Sequence, residues 1–223
     1  MVRLLCFDLD GTLVDSAGDI VNAVNRTLIE FDKEPLSHDL IVSHIGEGLR
    51  VLLQGVFSSL PEGMTTETLV ERFLSVYEEE MLKTTVPFAG VDDFLDGWVA
   101  NGGLIGIITN KNEAPARRLI EHLGFYKYPW VDIFGADTLA ERKPSALPLQ
   151  TMMKKARVSE TETLMIGDGT PDLVSAKAAG VRSVAVEFGY SAKEILSRYH
   201  PTTYLTHYQD LRQVVQDLSR SKS

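Results

Sequence analysis

Val2-Arg3-Leu4-Leu5-Cys6-Phe7-Asp8-Leu9-Asp10-Gly11-Thr12-Leu13-Val14-Asp15-Ser16 sets a short apolar run directly against a stretch rich in aspartate. The run from Val2 to Phe7 predicts a buried strand, since strands covered on both faces read as continuous apolar segments. Asp8 to Thr12 then predict a functional loop at its carboxyl end, with Gly11 permitting a tight backbone there.

Working outward, Ile20, Val21, Val24, Leu28 and Ile29 recur at helical spacing between Asp19 and Phe31, and Leu40 to Phe57 and Leu69 to Leu82 read similarly. Three or four helices therefore follow one strand. After Pro87 the pattern changes to alternating helix and strand, with strands near Leu104 to Thr109, Thr163 to Gly167, Ser183 to Val186 and Thr203 to Leu205. Such alternation implies right-handed crossovers and a parallel sheet. Pro115 and Pro171 suit first helical turns and Gly124 and Gly180 suit helix ends, while Leu211, Val214, Val215 and Leu218 form a closing amphipathic stripe. The expected architecture is an α/β fold, a doubly wound parallel sheet with an inserted all-helical cap. The cap is placed at residues 15–85 and the core at 1–14 and 86–223, with Pro87-Phe88-Ala89-Gly90 as the return hinge and Arg220-Ser221-Lys222-Ser223 as a frayed tail.

The 223 residues can bury a sizeable core without disulfides, and the single cysteine, Cys6, permits no internal bridge and is read as a buried core residue. The first apolar run ends at Asp8, too short for a signal peptide, and no later run approaches membrane-spanning length. A net charge of −9 argues against general affinity for nucleic acid or anionic lipid, which are held by clustered Lys and Arg. A soluble cytoplasmic protein with no nucleic-acid or membrane partner is expected, as monomer or homodimer.

Ligands of open parallel sheets bind beyond the carboxyl ends of the strands. The residues there are Asp8 to Thr12, Thr109-Asn110-Lys111, Arg142-Lys143-Pro144 and Gly167-Asp168-Gly169-Thr170-Pro171-Asp172. Carboxylates gathered in one cleft repel each other, and a hard divalent cation, commonly Mg²⁺ in phosphoryl transfer, is the usual relief.

Phe7-Asp8-Leu9-Asp10-Gly11-Thr12-Leu13-Val14-Asp15-Ser16 resembles the first motif of the haloacid dehalogenase-like (HAD) hydrolase superfamily. Ile107-Ile108-Thr109-Asn110-Lys111, Arg142-Lys143-Pro144 and Ile166-Gly167-Asp168 to Asp172 resemble its second, third and fourth motifs, in order and across almost the whole chain. The resemblance implies a Rossmann-like core and a magnesium-dependent phosphatase. It makes Asp8 the nucleophile that becomes an aspartyl phosphate and Asp10 the general acid and base. Thr109 and the backbone N–H of Asn110 would hold the phosphoryl group, and Lys143 would neutralise phosphate and Asp8. Mg²⁺ would take Asp8, the backbone carbonyl of Asp10 and Asp168, with Asp172 behind them or reaching the metal through water. Two features depart from the pattern: Gly169 stands where many relatives carry serine, and Ser145-Ala146-Leu147-Pro148 follows the Lys-Pro pair where many show His-Pro.

Between the cap helices, Ser43-His44-Ile45-Gly46-Glu47-Gly48-Leu49-Arg50 resembles the substrate-specificity loop of phosphoglycolate phosphatases. Gly46 and Gly48 would present N–H groups to a small acid and Arg50 would pair with its carboxylate, or the glycines merely join two helices and Arg50 faces water. His44 is read as structural or solvent-facing. The expected partner is a small phosphorylated metabolite. The alternatives are a phosphosugar mutase of the β-phosphoglucomutase type, a pyrophosphatase or nucleotidase, and a non-catalytic phosphate-binding module. Haloacid dehalogenation is disfavoured, because it uses neither the acid/base role of Asp10 nor a metal.

Overall fold

The structure is a computed structural model that describes residues 1–60 and 63–220. The chain runs β1 (Leu4–Phe7), β2 (Val14–Asp15), α1 (Ala17–Glu30), α2 (His38–Val42), α3 (Leu49–Val56), α4 (Thr66–Glu80) and β3 (Val86–Pro87). It continues α5 (Val91–Ala100), β4 (Leu104–Ile108), α6 (Glu113–His122), β5 (Trp130–Phe134), α7 (Leu147–Ala156) and β6 (Thr163–Gly167). The last elements are α8 (Thr170–Ala178), β7 (Arg182–Val186), α9 (Lys193–Leu196), β8 (Thr203–Leu205) and α10 (Tyr208–Arg220). Ser221, Lys222 and Ser223 of the expected tail lie outside the described residues.

Among the described residues the main sheet has the order β5-β4-β1-β6-β7-β8, and every pairing in it is parallel. The physical reason lies in β1, which is apolar on both faces. Leu5 and Phe7 join one buried cluster, Leu4 and Cys6 another, so helices must cover both sides of the sheet. From β1 the chain builds outward through β4 and β5, then returns to the other side of β1 for β6, β7 and β8. That reversal opens the crevice at the carboxyl ends of β4, β1 and β6.

Helices α1 to α4 lie between β2 and β3, which pair antiparallel with Val14 opposite Pro87 and Asp15 opposite Val86. This two-stranded ribbon is where the helical insertion leaves and rejoins the sheet domain. At its base the Asp19 carboxylate, inaccessible to solvent, accepts the backbone N–H and hydroxyl of both Thr84 and Thr85, at 2.7 to 3.2 Å. The first turn of α1 is thereby tied to the returning chain. Ile20, Val21, Val24 and Leu28 are buried, and α1 packs along α4 through them.

Two elements differ from the sequence expectation. Strand β5 is absent from the predicted set: it is an edge strand, and only Ile133 and Phe134 of its five residues are buried. Its residues, Trp130-Val131-Asp132-Ile133-Phe134, are apolar except for Asp132, which interrupts the run by which the central strands are recognised. Leu40 to Phe57 is not one helical stretch. It breaks at residues 43–48, where Gly46 (φ +110°) and Gly48 (φ +96°) adopt backbone conformations that only glycine holds without strain.

Candidate active site

Asp8 leaves the end of β1, its backbone N–H still donating to Ile166 of β6 at 2.9 Å. Asp8 Oδ1 receives the Leu9 N–H at 2.7 Å and the Lys143 ammonium at 2.9 Å. Lys143 comes from the segment after β5, is almost wholly buried, and donates at 2.5 Å to Asp172 Oδ1. Asp172 sits in the first turn of α8, and its other oxygen accepts the Gly169 N–H at 2.9 Å, so it caps the helix as well as meeting the lysine. Asp168, just past β6, accepts the Thr12 hydroxyl at 3.1 Å and the Tyr190 N–H at 2.7 Å.

The side chains of Asp8, Asp168 and Asp172 each offer an oxygen within 4.8 Å of the others. With all three ionised against the one ammonium of Lys143, two negative charges stay uncompensated in a buried site. The consequence is visible in Asp168: burial, reinforced by the charges of Asp8 and Asp172, pushes its carboxyl up to about 8. Burial likewise raises Asp172, although Lys143 opposes the shift. Lys143 itself is held above its ordinary value, because Asp172 and Asp8 outweigh the effect of burial. A double positive charge among hard oxygen donors would complement this cluster, and the donor set suits a divalent cation of the Mg²⁺ or Ca²⁺ kind.

Asp10 behaves differently. Its carboxylate turns to Lys111, whose ammonium donates to both oxygens at 3.0 Å, and takes the Ser16 hydroxyl at 2.5 Å. The pair is self-neutralising. Gly11, at φ +79°, passes so close beneath Asp168 that a Cβ there would lie 2.3 Å from Asp168 Oδ2. Glycine is required on both counts.

A cavity of about 70 Å³ opens between these loops and the cap helices. Asp8, Asp10, Thr109, Asn110 and Lys111 line the sheet side, whereas Ile20, Ile45, Leu49, Leu52, Phe73, Leu74 and Tyr77 line the cap side, with Gly46 and Gly48 at the rim. Asn110 Nδ2 donates to the Gly46 carbonyl at 3.0 Å, and Asn110 Oδ1 is buried without a hydrogen-bond partner. The Gly46–Gly48 turn is fastened further by Thr170, whose hydroxyl donates to Glu47 Oε1 at 2.8 Å.

The structure thus gathers Asp8, Asp10, Gly11, Thr109, Asn110, Lys143, Asp168 and Asp172 around one crevice, with Gly46 and Gly48 above it. It does not bring Arg50 there. The Arg50 side chain is half exposed and donates to Glu67 of α4 at 2.8 Å, because the first turn of α3 carries it outward from the cleft. The expected contact between Arg50 and a substrate carboxylate is therefore not made in this arrangement. His44 lines the cavity but its Nδ1 bonds to the Leu40 carbonyl at 2.8 Å, a local structural contact. Three side chains escape the sequence reading: Lys111 as the partner of Asp10, Tyr77 beside it, and Tyr190. The Tyr190 hydroxyl accepts the Ser16 N–H at 2.8 Å and donates to Asp15 at 3.0 Å, while its own N–H holds Asp168. Lys111 had a signal, its place in the Thr-Asn-Lys run; the tyrosines had none.

An open parallel sheet with a carboxylate-rich crevice, two buried lysines in it and a helical insertion above it is a site suited to phosphate chemistry, and comparison with known proteins identifies a hydrolase of phosphoric monoesters. The model of the haloacid dehalogenase-like hydrolases matches residues 5–186, and the chain belongs to that family. It is 37% identical over 204 residues to a phosphoglycolate phosphatase of Rhodospirillum rubrum, covering 88% of this chain and 84% of that one. It is 35% identical over 216 residues to another from Colwellia psychrerythraea, covering 94% and 95%. Its fold superimposes with a TM-score of 0.88 on the crystal structure of a predicted phosphoglycolate phosphatase from Haemophilus somnus, at 24% identity over 96% of this chain and 98% of the other. The chain falls in the subgroup that resembles phosphoglycolate phosphatases. Among the described residues no helix is long and apolar enough to cross a membrane.

Proposed function

We propose that this protein is a cytoplasmic, Mg²⁺-dependent phosphatase that hydrolyses a small, phosphoglycolate-like phosphomonoester through an aspartyl phosphate on Asp8. The observation that carries the reading is the buried Lys143 ammonium set between Asp8 and Asp172, with Asp168 beside them. A carboxylate whose Oδ1 is fixed by Lys143 and the Leu9 N–H presents Oδ2 for attack on phosphorus. The new bond joins Asp8 Oδ2 to phosphorus as the ester bond breaks. Asp10 gives a proton to the departing oxygen, then removes one from the water that attacks the aspartyl phosphate, releasing inorganic phosphate and restoring Asp8. Lys143 offsets charge on the phosphoryl oxygens, and Thr109 and the Asn110 N–H hold one of them. Asp8, Asp168 and the Asp10 carbonyl would hold Mg²⁺, with Asp172 behind them or reaching it through water, and the bound ion would supply Lewis-acid stabilisation of the phosphoryl oxygens.

The cavity wall bears on the choice of substrate. Its cap side is apolar and gives the hydroxyls of a sugar few partners. That speaks against the phosphosugar mutase and the nucleotidase. We further propose that residues 15–85 form a cap that opens to admit substrate and closes to exclude water, turning at the β2–β3 ribbon. Assay of free phosphate from a panel of phosphomonoesters, with Mg²⁺ and with chelator, tests the reading. Metal-dependent release from short carboxylate-bearing esters is expected. Isomerised sugar phosphate without phosphate release, or full activity in chelator, would contradict it.

A further inference from the structure

Lys111 is the one basic side chain other than His44 that lines the cavity among the described residues, and only 8% of that side chain is exposed. An ammonium has three donors, and Lys111 gives two to Asp10. Tyr77, from α4, lies against the same ammonium, its ring centroid 4.7 Å away. The Tyr77 hydroxyl is buried and makes no hydrogen bond with any described residue, although buried hydroxyls are nearly always satisfied by protein, water or ligand. An ammonium and a buried hydroxyl that has no acceptor among the described residues therefore stand side by side, one from the sheet domain and one from the cap.

Around them the cap wall is Ile45, Leu49, Leu52 and Phe73. In such surroundings a single ion pair is strong and a polar group lacking a partner is disfavoured. Two adjacent donors match the two oxygens of a carboxylate, and Lys111 and Tyr77 line the same cavity as Asp8.

We propose that Lys111 and Tyr77 form the subsite that takes the carboxylate of a short phosphorylated acid, in the role the sequence had given to Arg50. The assignment rests on the phosphomonoesterase reading above and specifies its substrate class. Tyr77 belongs to α4 and Lys111 to the loop after β4, so the cap motion proposed above would couple reading of the acid's second charge to closure.

The test is a binding measurement on full-length Asp8→Asn protein loaded with Mg²⁺, in which turnover is blocked. Calorimetry compares 2-phosphoglycolate with its neutral amide, which has the same phosphate end and nearly the same shape. The acid should bind about 10-fold or more tighter than the amide, a ratio that Lys111→Met brings to about 1 and Tyr77→Phe lowers several-fold. Tyr77→Phe removes only a hydroxyl and keeps the ring against Lys111, so it gives a folded variant even where Lys111→Met leaves Asp10 poorly supported. Equal binding of acid and amide by the Asp8→Asn protein would overturn the subsite while the phosphatase reading stands. A full preference surviving in either variant would also overturn it. Failure of both esters to bind would overturn the phosphomonoester reading and the subsite with it.

Discussion

Gly11 and Asp168, which are 157 positions apart in the chain, meet so closely that a Cβ on Gly11 would lie 2.3 Å from Asp168 Oδ2. Gly11 also sits at φ +79°, so Gly11→Ala carries two penalties: a left-handed backbone, worth about 1–2 kcal/mol, and displacement of a carboxylate of the candidate metal cluster. The expected result is a folded protein with a lowered melting temperature and a Mg²⁺ affinity reduced about 10-fold or more. Thermal melts with and without Mg²⁺, together with metal titration, check both parts.

Asp10→Asn should leave the fold intact and lower kcat by about 10²- to 10⁴-fold, the usual contribution of a positioned proton donor. Steady-state phosphate release measures it. Unchanged kcat would remove Asp10 from the proton transfers and leave its pairing with Lys111 as a structural contact.

The four hydrogen bonds from Thr84 and Thr85 to Asp19 give a pH-dependent term in stability. Burial alone would raise this carboxyl, but the bonds outweigh it and hold the group below its ordinary value. A carboxyl depressed in the folded state adds stability above its unfolded value, near 3.9, and loses it as pH falls through the folded value. Asp19→Asn should therefore destabilise the protein by about 1–3 kcal/mol at pH 7, and the gap from the parent should shrink at pH 3. Urea unfolding at the two pH values decides; a constant gap would mean that the carboxylate charge contributes nothing.

The sheet and the crevice were legible because their signals are local. Asp8 and Asp10 follow an apolar run, Asp168 and Asp172 flank a helix start marked by Pro171, and Lys143 precedes a proline. The pairings that complete the site are not local. Lys111 finds Asp10 across 101 positions, and Tyr190 reaches Asp15 across 175. Only the tertiary fold shows that Asn110 fastens the Gly46 turn or that Tyr77 covers Lys111. Arg50 shows where local sequence leaves two readings open: beside a Gly-x-Gly turn it could meet a ligand or face water, and only the fold shows its half-exposed side chain paired with Glu67. Strand β5 was hidden because Asp132 splits its otherwise apolar residues into two pairs too short to read as a strand.

Arg50→Ala should accordingly change little. An exposed ion pair such as Arg50–Glu67 contributes about 0–1 kcal/mol, and kcat/KM for carboxylate-bearing and neutral esters should move together, by about twofold at most. A selective loss on the acid would place Arg50 at the substrate after cap closure and would argue against the Lys111–Tyr77 subsite.

The most direct test of the account is to look for phosphate on Asp8. Protein mixed with Mg²⁺ and excess substrate, quenched in acid within one turnover and digested, should show one added phosphoryl group on the peptide that carries Asp8. The label should vanish during a chase with unlabelled substrate and be absent from Asp8→Asn, which should release no phosphate. Phosphate release at the normal rate with no label on Asp8, or turnover surviving in Asp8→Asn, would contradict the covalent mechanism.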